Sequence, residues 1–297
     1  MRSGTIGGAL VAAALGLTAS GPAAGAGQAD EYAAGIETWR AERERRLTAD
    51  DGWLAVAGLF FLREGENTFG SDPLHDIVLP AGPPTAGAFD LSGRRVALRA
   101  APGATLTVDG RDVAAMQLHP REARADVTIE DLTLFVHYSG ERLAIRMLDR
   151  NSAIRRDFSG LRWYPVDAAW RVRARFVPHD EPLEVKIQNI LGDIETLTSS
   201  GTVRLQLGGE QLEMLPVDVG DQLWFIFRDL TSGSDTYAAA RFLYADAPRD
   251  GWTVLDFNRA YNPPCAFNPH TTCPLPPRAN RLPVRVEAGE LDYRPAP

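Results

Sequence analysis

From Trp53 onward the chain divides into short apolar segments that recur about every ten residues, each closed by Gly, Asp or Pro, and this spacing limits the fold more than any other feature. Val96–Leu98, Leu106–Val108, Val127–Ile129, Leu132–Tyr138 and Arg142–Leu148 read as strands in the first half. Val172–Val177, Leu183–Ile190, Thr202–Leu207, Gln211–Leu215, Leu223–Arg228, Trp252–Phe257 and Val284–Val286 continue the series, with a short helical turn expected near Ala238–Leu243. Turn signals stand between them, among them Gly82-Pro83-Pro84, Ser92-Gly93 and Asp109-Gly110. The expected fold is mostly β: two β-sandwich or barrel-like modules, 51–118 and 119–297, behind a short N-terminal helix over 27–50. In that helix Tyr32, Ile36, Trp39 and Leu47 share a face, and the Arg/Glu run from Glu37 to Arg46 reads as a solvated surface.

Residues 1–26 read as a secretory signal: a charged start at Arg2, an uncharged apolar run from Thr5 to Ala19, and Ala24-Gly25-Ala26 as a small-x-small cleavage site before Gly27. The expected location is secreted or periplasmic, with no transmembrane segment in the mature chain. Cys265 and Cys273 fit an oxidising compartment, where such a pair forms a disulfide. A two-thiolate metal site with His270 and a cysteine nucleophile are the alternatives.

A net charge of −8 argues against a general nucleic-acid binder. The chain has no G-x-S-x-G elbow, P-loop or dinucleotide fingerprint, and its histidines (His75, His119, His137, His179, His270) lack zinc-protease spacing, so no cofactor or metal is expected. Asp256-x-Asn258 begins like a calcium loop but lacks the later Gly and Glu. Eight arginines from Arg146 to Arg175 form a local basic excess, read as a solvated surface with ion pairs in preference to an anion patch.

The loop 258–282 is long and carries six prolines (Pro263, Pro264, Pro269, Pro274, Pro276, Pro277), the cysteine pair and the aromatic anchors Tyr261 and Phe267. Arg228, Asp229, Tyr237 and Arg241 cluster after one apolar segment; Asp256, Asn258, Arg259 and Asn262 cluster after another. If the two strand ends are neighbours, these eight residues frame a pocket for a small polar or anionic ligand, with arginines clamping the anion. The same set can equally form a buried structural network. Two other functions stay open: a structural or partner-binding envelope protein without a pocket, and a hydrolase using Asp229 and Asp256 as acid and base.

The C-terminal pattern also resembles a known signature. Asp256 to Phe267 (DFNRAYNPPCAF), Thr272 to Pro277 (TCPLPP) and Asn280-Arg281-Leu282, with Arg228-Asp229, Thr231-Ser232-Gly233, Thr236-Tyr237 and Arg241-Phe242-Leu243, resemble domain-of-unknown-function family 1684, found in uncharacterised exported bacterial proteins. Gly52-Trp53-Leu54, Gly58-Leu59 and Phe69-Gly70-Ser71 extend the likeness to roughly residues 38–290. The family implies no established activity. Thr68 to Asp72 (TFGSD), Asp76 to Leu79 (DIVL) and Val108-Asp109-Gly110 are faintly similar to a forkhead-associated β-sandwich. Ser71 matches that family's Ser, but its Arg near Gly70 and its Ser-x-x-His are absent, so the likeness concerns architecture.

Overall fold

The computed structural model describes residues 24–294; the expected signal over 1–26 lies almost entirely outside them. Helix α1 (Ala24–Leu47) opens the described chain. Strands β1 (Val56–Phe61), β2 (Gly65–Gly70), β3 (Ile77–Val78), β4 (Gly87–Ser92), β5 (Arg95–Ala100), β6 (Thr107–Val108), β7 (Arg111–Asp112), β8 (Ala115–His119), β9 (Val127–Ile129), β10 (Leu132–Ser139) and β11 (Arg142–Asp149) follow. They form two sheets, β1-β11-β10-β9-β6-β7 and β3-β2-β4-β5-β8. The alternating apolar positions Phe69, Phe89, Leu98, Val127, Leu134 and Ile145 meet in a shared core. Asp109 and Gly110, at φ 51° and 76°, turn β6 into β7 in the left-handed conformation that Asp-Gly tolerates. Hydrogen bonding crosses the division expected at 118/119, because β1 pairs with β11, Phe60 opposite Ile145.

After helix α2 (Ala153–Arg156) come β12 (Arg171–Gln188), β13 (Ile194–Leu207), β14 (Glu210–Met214), β15 (Val217–Val219), β16 (Gln222–Phe227), β17 (Arg241–Asp246) and β18 (Trp252–Asp256). They build the sheets β14-β13-β12-β18 and β15-β16-β17. Ala174, Val203, Phe225, Leu243 and Leu255 lie in the core of this second module. Strands dominate as expected, and the sheets are open rather than closed into a barrel.

Three local expectations are corrected. Val172–Val177 and Leu183–Ile190 form one strand, β12, with its register shift between Pro178 and Leu183. The stretch expected to turn near Ala238–Leu243 enters β17, where pairing of Arg241 with Phe227 overrides local preference. Val284 and Val286 are buried yet lie outside any strand. Their carbonyls accept from the Leu230 amide and the Arg241 guanidinium, which leaves no ladder to build.

Helix α1 packs across the second module, and its arginines divide. Arg45 and Arg46 pair with Glu42 on the exposed side, as expected. Arg40 and Arg43 instead turn inward: Arg40 donates to the Tyr164 carbonyl (2.9 Å), and Arg43 to the Glu290 carboxylate (2.8 Å) and the Asn262 carbonyl (2.8 Å). Glu290 approaches because Gly289 has φ 83° and no side chain; a Cβ there would lie 2.5 Å from the Ala260 carbonyl. The modules are joined by Asp193, at the tip of the β12–β13 hairpin, which accepts from Ser139 (2.6 Å) and from both Arg142 Nε (2.8 Å) and Nη2 (2.6 Å).

Candidate functional site

The eight residues expected to frame a pocket fall into separate packed sets. Arg241 and Asp229 form an ion pair at 2.7 Å with both side chains 0% exposed. The Asp229 carboxylate also accepts from the Thr231 amide (2.8 Å) and hydroxyl (2.7 Å) and from the Val286 amide (3.2 Å). Arg241 also donates from its two terminal nitrogens to the Ala288 and Val286 carbonyls, while its Nε has no partner. Asp256 accepts from the Tyr32 hydroxyl (2.8 Å) and the Asn258 side chain (3.2 Å), and Asn258 in turn donates to the Asp167 carbonyl (2.8 Å). Asn262 donates to the Leu291 carbonyl (2.7 Å) and Tyr237 to the Cys265 carbonyl (3.2 Å). Arg228 is exposed, and Arg259 is half-exposed at 4.0 Å from Asp256. Of the eight, Arg259 alone borders either of the two clefts described below.

The larger cleft, about 720 Å³, opens where α1, the first sandwich and the second module meet. Its volume lies within the usual range for small-molecule sites. Adjacent strands β10 and β11 supply His137 and Arg146; His137 stands opposite Ala144, so Arg146 is its diagonal neighbour on the same face. Trp53 contributes from the turn before β1, its ring 5.3 Å from the Arg146 guanidinium. The opposite wall belongs to the second module. Trp224 on β16 pairs directly with Tyr244 on β17, and their rings lie 7° from parallel at 5.9 Å. Tyr261 continues the row, 13° from the Tyr244 plane at 6.5 Å, and Arg43 of α1 caps it at 4.1 Å. Thr271, Thr272 and Cys273 come from the long loop, where the expected Cys265–Cys273 disulfide is present. The smaller cleft shares Arg43, Arg46, Tyr244 and Tyr261 with the larger.

Arg146 is 6% exposed, and among the described residues no carboxylate stands within 4 Å of it. It donates to His137 Nε2 at 2.9 Å, while its own Nε has no partner. Burial pushes its pKa down to about 10, so the guanidinium stays charged at neutral pH. Burial and then the adjacent Arg146 charge push His137 down to about 4. The imidazole is therefore neutral, with Nε2 accepting from Arg146 and the proton on Nδ1. Thr272 Oγ1 lies 3.2 Å from the same Nε2 and ties this corner to the disulfide loop. Trp224 Nε1 is a second buried donor without a partner among the lining residues. The chemistry on offer is one uncompensated positive charge, a spare N–H and an aromatic wall. No group of three or more His, Cys, Asp and Glu suited to a metal ion occurs among the described residues.

Arg146 appears in the sequence reading only as one of eight arginines assigned to a solvated surface, and His137 only for lacking zinc spacing. No local signal separates Arg146 from Arg142 four positions earlier on β11. What distinguishes them is the partner each meets: Asp193 for Arg142 and a neutral imidazole for Arg146.

The fold and cleft define a mostly β, two-module protein with a small-molecule-sized cavity at the module junction. Residues 156–291 match the family model described as Protein of unknown function (DUF1684). Trp224, Tyr244, Tyr261, Thr271 and Thr272 lie within the matched segment; Trp53, His137 and Arg146 precede it. A solved structure of an uncharacterized protein of Haloarcula marismortui, determined in solution, is 33% identical over 46% of this chain and 78% of its own, with a TM-score of 0.40. No curated protein matches this chain.

Proposed function

We propose that this chain is an exported protein that binds a small anionic ligand, with the anion seated on Arg146 in the cleft between the modules. The observation that carries this reading is a charged guanidinium nearly withdrawn from water with no carboxylate beside it. Burying such a charge is costly unless something compensates it, and a bound anion does so by bidentate hydrogen bonding. In this reading the Asp229–Arg241 and Asp256–Asn258 sets are structural: the Arg241 charge meets a carboxylate within the protein, and Asp256 and Asn258 bond to Tyr32 and Asp167. Export is supported by the signal-like composition of residues 1–26 and by the disulfide. No described helix is long and apolar enough to cross a membrane.

Thermal unfolding at low ionic strength with phosphate, sulfate, succinate and benzoate tests the binding site. At least one anion is expected to raise the midpoint of the wild-type protein and to leave Arg146→Gln unmoved; a wild-type midpoint indifferent to all four sinks the reading. Export is checked separately, by sequencing the N-terminus of protein secreted by the native host, which is expected to begin at Gly27.

A further inference from the structure

The cleft constrains more of its occupant than the charge. Facing the Arg146 corner is a row of near-parallel rings, Trp224, Tyr244 and Tyr261. All three are partly exposed, although each is large enough to be valuable in the core. Buried polar capacity is scarce by comparison, since the lining Arg45, Arg46 and Asp51 are exposed to solvent. The Thr271 hydroxyl is committed to the Asn268 carbonyl (2.9 Å), and that of Thr272 lies against His137 (3.2 Å). Buried donors without partners number two among the lining residues, Arg146 Nε and Trp224 Nε1. A sugar acid brings several hydroxyls that would lose their hydration and find few partners here. Inorganic phosphate would satisfy the guanidinium but leave the aromatic wall wet. An anion joined to a flat apolar ring uses both features.

Resting on the anion-site reading above, we propose that the occupant is an aryl carboxylate: its carboxylate bonds to Arg146, and its ring lies against the Trp224–Tyr244–Tyr261 row. The row thus selects for ring planarity, while Arg146 selects for charge. Two probes of equal charge separate these roles, since 1-naphthoate is flat and cyclohexanecarboxylate is puckered; both are apolar.

The experiment is calorimetric titration of the full protein with 1-naphthoate, cyclohexanecarboxylate, glucuronate and phosphate. Wild type is expected to bind 1-naphthoate at least tenfold more tightly than any of the others. Tyr244→Leu is expected to weaken 1-naphthoate about fivefold and to leave cyclohexanecarboxylate nearly unchanged. Trp224→Leu is a second variant with the same expected direction, and circular dichroism checks that each is folded. Arg146→Gln is expected to weaken both carboxylates tenfold or more. If glucuronate, phosphate or cyclohexanecarboxylate binds as tightly as 1-naphthoate, and Arg146→Gln still weakens it, the aryl assignment is overturned while the anion site stands. If no probe binds wild type, both fall.

Discussion

A guanidinium held out of water beside a neutral imidazole loses hydration that its neighbours do not fully return. Replacing Arg146 with Met is therefore expected to raise the unfolding free energy by about 1 kcal/mol while abolishing anion binding, the trade-off usual at binding sites. Urea unfolding of the two proteins checks it. Arg241 predicts the reverse. Its removal leaves the Asp229 carboxylate buried without its cation, so Arg241→Met is expected to cost about 3–5 kcal/mol in the same assay. His137 supplies a pH signature. Its folded-state pKa, about 4, lies below the ordinary 6.5, so the unfolded chain binds the extra proton first. The stability gained from keeping it neutral is complete above about pH 6.5 and is lost as pH falls toward 4. Between pH 7 and 4, wild type is expected to lose more unfolding free energy than His137→Gln; equal losses would contradict the assignment. At this scale residue types were legible and their partners were not. Asp229 and Arg241 stood out as chemically able groups, and tertiary packing matched them to each other.

Among the elements, the stapled loop does the most to shape the cleft. The Cys265–Cys273 link holds Thr271 and Thr272 against the His137 corner, while Asn268 donates to the Trp53 carbonyl across the module junction. Changing both cysteines to Ser is expected to cost about 2.5 kcal/mol through loop entropy. It should also weaken anion binding, because the loop then samples other positions. Titration of the double variant with the best wild-type ligand checks the second effect. Pro and Cys spacing marks the loop as a special segment in the sequence itself. Helix α1 was equally visible from its apolar stripe, and Glu42 with Arg45 and Arg46 forms the solvated surface expected of its charged run. Arg40 and Arg43 escaped, because a helix shows which residues share a face but not what packs against it. Val284 and Val286 escaped for a related reason: their apolar alternation reports burial, and a ladder also needs free backbone groups.

At the scale of the molecule, the cleft is a junction property. One wall is built from β10 and β11, the other from β16, β17 and the loop near Thr272. Ligand binding is accordingly expected to slow amide exchange on both sides, in residues 137–146 and 261–273, whereas protection confined to the second module would place the site elsewhere. The mostly β architecture, the turns, the helix, the stapled loop and the cysteine pairing were set by local chemistry: alternation of apolar residues, the backbone freedom of Gly and Asp, and the spacing of Pro and Cys. These signals act over a few residues and survive in the one-dimensional chain. The meeting of Arg146 with Trp224 and Tyr244 in one cleft has no such trace, since those side chains come from different modules. Only the docking of the two modules decided which buried arginine would meet a carboxylate within the protein and which would not.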